Sequence, residues 1–535
     1  MQGKLQLALI SSFAVLLRCC ITYHSHSGED KPPMYGDYEA QRHWQEITLN
    51  LPPDKWYINT TDNDLQYWGL DYPPLTAYHS LLLGYIANRI NPSFVRLHES
   101  RGLETEEHKY FMRLTVLIAD ILIYIPAFIY FVSNLRSWSN CQFNESNIFK
   151  FSKRDAILLT ALIYPGLILI DHGHFQYNCV SLGFFVAAVA AIMQDSFILG
   201  SILFVLALNY KQMELYHALP FFFYILGNYT PNKAKSWVHC IRMLICVSLA
   251  VLLTFFIIWI PFFKNKDVFF SAVLRLFPFS RGVFEDKVAN VWCVINVVYK
   301  LRQIFTNAQL AKICLLVTTC AALPSCINLY LLPTKNAFLV SLINSALAFF
   351  LFSFQVHEKS ILLVAVPVLL HFHNDPLPCF WFLITSHFSM LPLFIKDDLY
   401  FAYLGTMVFY FCSVFWMWPD IFYNHKTNNL LNKSKLKLKK GGRVQQHKKN
   451  KSVLNLPGYD KKFWLLLAFY GSVLGILLLS ILSKFVKPPE RYPDLLPLLV
   501  SIYSCGHFLI FFAYFNYVQL FSTRKKGFTN KVKSH

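Results

Sequence analysis

Long apolar segments constrain the fold of this chain more than any other feature. The 535 residues are 55% hydrophobic with a mean hydropathy of +0.39, which leaves too little polar surface for a soluble protein of this size. Hydropathy predicts fourteen candidate spans, at approximately 5–23, 110–133, 155–170, 178–194, 197–209, 214–228, 240–263, 310–332, 336–353, 359–372, 376–395, 399–418, 463–484 and 495–521. Several are shorter than the roughly 20 residues that a spanning helix needs. The predicted fold class is an all-α polytopic membrane protein.

The predicted spans divide the chain into six parts. These are a first transmembrane anchor (1–23), a polar loop (24–109), a transmembrane core (110–423), a basic loop (424–462), the last two transmembrane helices (463–521) and a tail (522–535). A loop as long as 24–109 exceeds what a helical hairpin needs, which favours a functional site there. Within it, segment 75–90 is apolar but carries polar residues, as an interfacial helix does.

The positive charge of the chain indicates membrane topology. The net charge is +19, and fifteen of the 49 basic residues lie in 424–451 and after position 521. Basic residues beside apolar spans are typical of cytosolic loops, so nucleic-acid binding is not predicted. With fourteen spans both termini are cytosolic, and the polar loops rich in aromatic residues face the opposite side.

Two further signals bear on location. Lys531 and Lys533 form a dilysine pattern near the end of the chain, which is similar to the retrieval signal of endoplasmic reticulum membrane proteins. Asn59 begins the one Asn-x-Ser/Thr sequence on the side opposite the cytosol and is a candidate glycosylation site. We therefore expect a multi-pass protein of the endoplasmic reticulum membrane whose functional loops are lumenal.

Two carboxylates in the first polar loop are candidates for a general base. Asp37 follows Gly36 and begins a stretch of helical character, so it is either a base presented at the membrane surface or an N-cap. Asp71 precedes Tyr-Pro-Pro and is either a second candidate base or a turn residue. The neighbouring side chains suited to stack on or hydrogen-bond a sugar are Tyr35, Glu39, Arg42 and Trp68.

Two polar clusters follow the ends of predicted spans. In residues 171–178 (DHGHFQYN), the His-x-His pair alone gives weak support for a metal, whereas His174, Gln176 and Asn178 are suited to bind sugar hydroxyls. Lys211 and Gln212 are a second candidate pair, although Lys211 could equally extend to lipid headgroups. The cysteines show no ligand spacing, so neither a metal site nor a disulfide framework is predicted.

Residues 355–359 place three ionisable neighbours, His357, Glu358 and Lys359, between two apolar helices. Helix packing does not require charges there, and each would cost ~2.5–3.5 kcal/mol deeper in the bilayer. Cations at this position can bind a lipid-linked phosphate at the bilayer surface, with Glu358 orienting its neighbours. Arg281, in another loop, is a further candidate. A solvated run of charges is the alternative.

The motifs together resemble one family. They are, in chain order, YGDYEAQRHW, WGLDYPPLTAYHS, DHGHFQYN, NYKQMELYHALP, RLFPFSRGVFEDKVANVWC and FSFQVHEKSIL. The set is similar to the dolichyl-phosphate-glucose-dependent glucosyltransferases of the endoplasmic reticulum, from about residue 34 to 360 and more weakly beyond. Within that family the resemblance is closer to the enzyme that adds the first glucose than to the one that adds the second.

The resemblance implies a fold and a reaction. It implies a GT-C glycosyltransferase with a large first lumenal loop, in which Asp37 serves as base and His357 to Lys359 bind the lipid-phosphate donor. The implied substrates are dolichyl-phosphate glucose and the dolichol-pyrophosphate-linked oligosaccharide, with no cofactor and no metal. Addition of the second glucose remains an alternative. A lipid or sugar transporter is another, but the sequence shows no internal repeat, and its notable ionisable residues cluster at one face.

Overall fold

Helices form all the regular structure of the described residues, which are 2–138, 152–230, 236–277, 287–422 and 461–522 of this computed structural model. The α-helices, numbered in chain order, are α1 Gln2–Ile21, α2 Asp37–Asn50, α3 Pro74–Ile90, α4 Glu106–Ala119, α5 Ile125–Trp138, α6 Lys153–Leu162, α7 Pro165–Ile168, α8 Asn178–Met193, α9 Phe197–Tyr210, α10 Ala218–Asn228, α11 Trp237–Trp259, α12 Lys266–Leu276, α13 Val291–Val298, α14 Leu301–Ile304, α15 Asn307–Leu331, α16 Lys335–Phe352, α17 Leu362–His371, α18 Pro376–Ser389, α19 Leu391–Lys396, α20 Tyr400–Met417, α21 Pro419–Phe422, α22 Lys461–Phe485 and α23 Leu495–Tyr517.

Tighter and wider turns connect or extend these helices. The 3₁₀ segments are Pro53–Lys55, Pro92–Phe94, Gln212–His217, Ile260–Lys264 and Glu358–Ile361, and the π-helical segments are Asp120–Tyr124, Leu169–Phe175 and Val518–Ser522. A π-turn widens the helix and shifts its side chains around the axis, and such turns occur often at functional sites. The segment Leu169–Phe175 contains the His-x-His pair.

The polytopic membrane architecture predicted from hydropathy is confirmed for the described residues. Ten continuous helical segments there are long and apolar enough to cross a bilayer. The other four predicted spans coincide with α8, α9, α10 and α17, which have 16, 14, 11 and 10 residues. Because α8 and α17 are almost completely buried by protein, their length need not match the bilayer. The basic loop up to residue 460 and the dilysine tail lie outside the described residues.

A buried cluster of charged and polar side chains joins three of the membrane helices. Arg18 of α1 donates from Nε to Asp120 Oδ2 at 2.9 Å and from Nη1 to the carbonyls of Ala14 and Leu162. His172 Nε2 lies 2.5 Å from the same Asp120 oxygen. Both charged side chains are only 1% exposed. The cluster therefore fixes the segment that contains His172 against α1 and α4.

The polar loop 24–109 contains α2 and α3 and forms a polar layer that packs against α9, α11 and α12. Helix α2 packs against α3, and a separate hydrophobic core joins this layer to α11 and α12 through Trp56 and Phe262. Helix α3 begins at Pro74, is too short for the criteria of a membrane span, and exposes Leu82 and Ile90. A helix was expected at 75–90 and is found there, and its interfacial position stays a prediction.

Candidate active site

Backbone geometry at Gly36 presents Asp37 at the start of α2. Gly36 is the N-cap residue with φ of 96°, and the Asp37 amide at this helix end donates to Ser27 Oγ at 3.3 Å. A Cβ at Gly36 would lie 2.7 Å from Ser27 Oγ and 2.8 Å from the Ser27 backbone, so only glycine fits. The N-cap interpretation of Asp37 is therefore wrong, and its carboxylate is directed to other partners.

Three donors from two distant segments converge on one oxygen of Asp37. Its Oδ2 accepts hydrogen bonds from Lys359 Nζ at 2.5 Å, His174 Nε2 at 3.0 Å and Gln176 Nε2 at 2.5 Å. The structure gives Oδ1 no hydrogen bond from the described residues, and a quarter of the side chain is exposed. One oxygen is thus fixed by the protein while the other is left to meet a ligand.

The electrostatics of this cluster keep Asp37 ionised. Burial opposes ionisation, but the positive charge of Lys359 and the contact with His174 outweigh it and hold the pKa of Asp37 well below its usual 3.8. Burial likewise opposes the charge on Lys359, yet Asp37 outweighs it and raises the pKa of the lysine. The two groups therefore form a stable ion pair at physiological pH.

A carboxylate that the sequence reasoning missed lies behind His174. Asp397 Oδ2 is 2.5 Å from His174 Nδ1, and the residue is 3% exposed. Asp397 immediately follows α19 and is 223 positions from the histidine in sequence. The available signal was the acidic pair Asp397-Asp398 just after the predicted span 376–395, but sequence alone gives no partner for it.

Asn178 connects this cluster to a second lysine. Its Nδ2 donates to Asp171 Oδ1 and Gln176 Oε1, and its Oδ1 accepts from Lys211 Nζ at 2.5 Å. Burial and the positive charge of Lys359 lower the pKa of Lys211 to about 8. Lys211 thus points into the protein instead of extending toward headgroups. A small cavity lies here, lined by Gln41, Tyr72, Thr76, Gln176, Tyr177, Asn178, Tyr210 and Lys211.

The second candidate base, Asp71, immediately precedes Tyr72, which lines this cavity. Its backbone carbonyl accepts from Gln212 Nε2 at 2.9 Å. Trp68 Nε1 donates to the carbonyl of Met34 at 2.5 Å, which joins its loop to the segment that carries Tyr35. Both aromatic side chains are partly exposed. They therefore remain available to contact a sugar.

Glu39 and Arg42 occupy a different environment from the one expected of sugar-binding residues. Arg42 is completely buried and donates to both Glu39 and Glu46 at 2.6–2.7 Å. Tyr67 donates its hydroxyl to Glu39 at 2.7 Å. This placement contradicts direct contact with a sugar, because both charges are already neutralised inside the protein. Their contribution is to fix the orientation of α2.

Three candidates remain, His357, Arg281 and Asn59. His357 is exposed and precedes the 3₁₀ turn that begins at Glu358 and contains Lys359, while Arg281 lies outside the described residues. Asn59 is exposed in the polar layer, as a glycosylation site must be. No group of three potential metal-ligating side chains occurs in the part of the chain that the structure describes.

Comparison with known proteins identifies the family. The crystal structure of ArnT from Cupriavidus metallidurans bound to undecaprenyl phosphate aligns with 96% of this chain and 77% of its own, at a TM-score of 0.37 and 12% identity, a likeness too slight to argue from. Residues 14–514 match the ALG6, ALG8 glycosyltransferase family.

Two relatives are similar to this chain over almost the whole length of both sequences. The dolichyl pyrophosphate Man9GlcNAc2 alpha-1,3-glucosyltransferase of Gallus gallus is 45% identical, and the match covers 97% of both chains. The probable enzyme of the same name from Drosophila melanogaster is also 45% identical, over 96% of this chain and 98% of its own. With this identity and coverage, the resemblance inferred from the motifs is confirmed: the chain is a glycosyltransferase of the ALG6, ALG8 family.

Proposed function

We propose that this enzyme transfers glucose from dolichyl-phosphate β-glucose, in α-1,3 linkage, to the Man9GlcNAc2-pyrophosphate-dolichol precursor of protein N-glycans. The names of the relatives support the acceptor and the linkage. The observation that carries the mechanism is the Asp37 carboxylate, which has one oxygen bound by three donors and one oxygen open. The large polar layer agrees with the GT-C architecture that the motifs imply.

The proposed reaction is a single inverting displacement. The Asp37 Oδ1 accepts the proton of the mannose 3-hydroxyl as that oxygen bonds to C1 of glucose, and the bond between C1 and the phosphate oxygen breaks with its electron pair going to the phosphate. A β-linked donor gives an α-linked product, so no enzyme-bound sugar is required. Such general base catalysis contributes typically ~10²–10⁴-fold in rate.

Lys359 contacts the base Asp37 and, in this proposal, also binds the leaving phosphate. An ammonium group has three donors; the contact with Asp37 uses one of them, and Nζ also lies 3.2 Å from His174 Nε2. A remaining donor can bind the departing phosphate together with the exposed His357, and Arg281 is a further candidate. Charge stabilisation of this kind is worth most where charge develops in the transition state. The proposal requires no metal.

We assign the site to the lumenal face of the endoplasmic reticulum membrane. The contact between Asp37 and Lys359 supports this assignment, because it requires the first polar loop and residues 355–359 to lie on the same side. With the fourteen predicted spans, residues 24–109 follow the first span and residues 355–359 follow the ninth, so both lie on the side opposite the cytosolic termini. Glycosylation at Asn59 remains a prediction of the same topology.

Substitution of the base tests the proposal. In microsomes supplied with dolichyl-phosphate glucose and defined acceptors, we expect Asp37→Asn to express normally and to lose glucose transfer by at least ~10²-fold. The matched control is Asp54→Asn, which removes an exposed carboxylate from the same polar layer and should retain activity. Retained turnover by Asp37→Asn would transfer the role of base to Asp71.

The choice of acceptor tests the assigned step. The wild-type enzyme should glucosylate Man9GlcNAc2-pyrophosphate-dolichol and leave the monoglucosylated acceptor unchanged. The opposite preference would assign addition of the second glucose. Movement of a lipid or sugar across the membrane without any glucose transfer would identify a transporter.

A further inference from the structure

Asp397 is a buried carboxylate whose position is fixed by its own backbone. Its amide donates to the carbonyl of Leu393 at 3.1 Å, and its carbonyl accepts from Ser25 Oγ at 2.5 Å. The side chain is 1% exposed and lies against His174. A carboxylate is rarely buried to this degree without a charged partner. The described residues give Asp397 one ion pair, and that partner is His174.

The His174 ring lies between two carboxylates. Nδ1 is 2.5 Å from Asp397 Oδ2, and Nε2 is 3.0 Å from Asp37 Oδ2. An ionised carboxylate only accepts hydrogen bonds, so both ring nitrogens must donate, and only the imidazolium has two N–H groups. Lys359 Nζ also lies 3.2 Å from Nε2, and a neutral ring with its proton on Nδ1 would accept from that ammonium while directing a lone pair at Asp37. The nearer contact of Nε2 is the one with Asp37, at 3.0 Å, and this contact corresponds to a protonated His174.

The charges around this ring balance only when Asp397 is included. The charged groups that contact the ring are Asp37 from α2, Lys359 from the turn after α16 and Asp397 from the link after α19. Arg113 from α4 donates to the carbonyls of His172 and Gly173, and Asp171 belongs to the same π-helical segment as His174. At the centre two cations, Lys359 and the imidazolium, meet two carboxylates. Without Asp397, the imidazolium and the Lys359 ammonium would share Asp37 as their one carboxylate partner at the centre of the cluster.

The neighbouring His172 provides an internal comparison. Its Nε2 also lies 2.5 Å from a buried carboxylate, that of Asp120. Its Nδ1 has no hydrogen-bond partner among the described residues, so the His172 ring does not link Asp120 to Asp37 by hydrogen bonds. Only the second histidine of the His-x-His pair connects a buried carboxylate to the proposed base.

We propose that Asp397 is a positioning residue that acts through His174: it keeps the imidazolium charged, and the imidazolium holds Asp37 with Oδ1 directed at the acceptor hydroxyl. The inference rests on the proposed function, since it assigns a role in that displacement. Asp397 itself contacts neither substrate. Its removal should therefore alter kcat and its pH dependence and leave the KM of both substrates within about twofold.

The pH profile distinguishes this role from a purely structural one. In Asp397→Asn the ring loses one of its two counter-charges, so the alkaline limb of kcat should move to lower pH by about one unit or more, the usual effect of one adjacent opposite charge. One unit lowers kcat about tenfold at pH values above the displaced limb. The matched control is Asp398→Asn, the next residue, whose side chain is 84% exposed, and its profile should match wild type.

A double-variant cycle tests whether the effect passes through His174. Purified wild type, Asp397→Asn, His174→Gln and the double variant are assayed from about pH 5.5 to 9.5, and their thermal unfolding midpoints are compared. In the His174→Gln background, Asp397→Asn should cause no further change in the profile. An additional shift there, equal shifts in Asp397→Asn and Asp398→Asn, or a profile of Asp397→Asn that superimposes on wild type would each overturn the inference.

Two other outcomes are also decisive. If Asp397→Asn does not fold, Asp397→Ser replaces it, and failure of both to fold would make Asp397 a folding residue and refute the positioning role. If the wild type transfers glucose to neither acceptor, the proposed function is wrong and this inference falls with it. If the wild type is active and only the profile prediction fails, the proposed function stands.

Discussion

Removal of Arg18 should destabilise the membrane bundle far more than removal of an exposed arginine. The Arg18–Asp120 pair is 99% buried and joins α1 to the π-turn after α4, while His172 contacts the same carboxylate. Arg18→Met would leave the Asp120 charge in the interior with only His172 as partner. Breaking one side of a buried pair costs about 3–5 kcal/mol, because the remaining charge is desolvated without compensation.

Neutralising the stranded charge should restore much of this loss. In Arg18→Met/Asp120→Asn, the amide oxygen can still accept from His172 Nε2 and no charge remains buried, so the double variant should be more stable than Arg18→Met by ~2 kcal/mol or more. The control is Arg96→Met, since the Arg96–Glu99 pair is 2.8 Å long but about 60% exposed. An exposed pair contributes less than about 1 kcal/mol.

Thermal unfolding of the detergent-purified variants measures the difference. At ~2 °C per kcal/mol for a chain larger than 150 residues, Arg18→Met should unfold at least about 6 °C below wild type, and Arg96→Met within about 2 °C of it. An Arg18→Met midpoint equal to that of Arg96→Met would refute the reasoning. So would a double variant less stable than Arg18→Met, because it would mean that the stranded charge is not the cause of the loss.

Two further perturbations concern the site itself. Because the pKa of Lys211 is about 8, kcat/KM of the wild type should fall as pH rises through about 8, and Lys211→Arg, which stays charged, should move that alkaline limb to higher pH. An unchanged limb would exclude Lys211 as a contributor to it. Gly36→Ala should reduce kcat on the order of 10²-fold, since the added Cβ meets Ser27 and displaces Asp37; Gly405→Ala, whose Cβ would meet nothing within 4 Å, should be as active as wild type.

Hydropathy located the helical segments correctly but could not tell which of them cross the bilayer. All fourteen predicted spans are helical, yet four, including α8 and α17, have between 10 and 16 residues. An apolar run records only that a segment avoids water, and a helix surrounded by protein does so as completely as one surrounded by lipid. Sequence could not separate these cases.

The candidate site was likewise predicted only in part from the sequence. Asp37 was identified from local features, a carboxylate after glycine at the start of a helical stretch. The burial of Glu39 and Arg42 was not foreseen, although Glu39 and Glu46 each lie one helical turn from Arg42, a spacing that allows both ion pairs. Asp397 was missed because its one ion-pair partner lies 223 positions away.

The sequence by itself determined that this chain spans a membrane, belongs to a glycosyltransferase family and carries Asp37 at a helix start, because apolar runs, charge asymmetry and short motifs are written in consecutive residues. Only the tertiary structure decided which groups meet that carboxylate. Lys359, His174 and Asp397 come from three regions of the chain, and the contacts that ionise and orient Asp37 exist only where packing of the bundle brings those regions together.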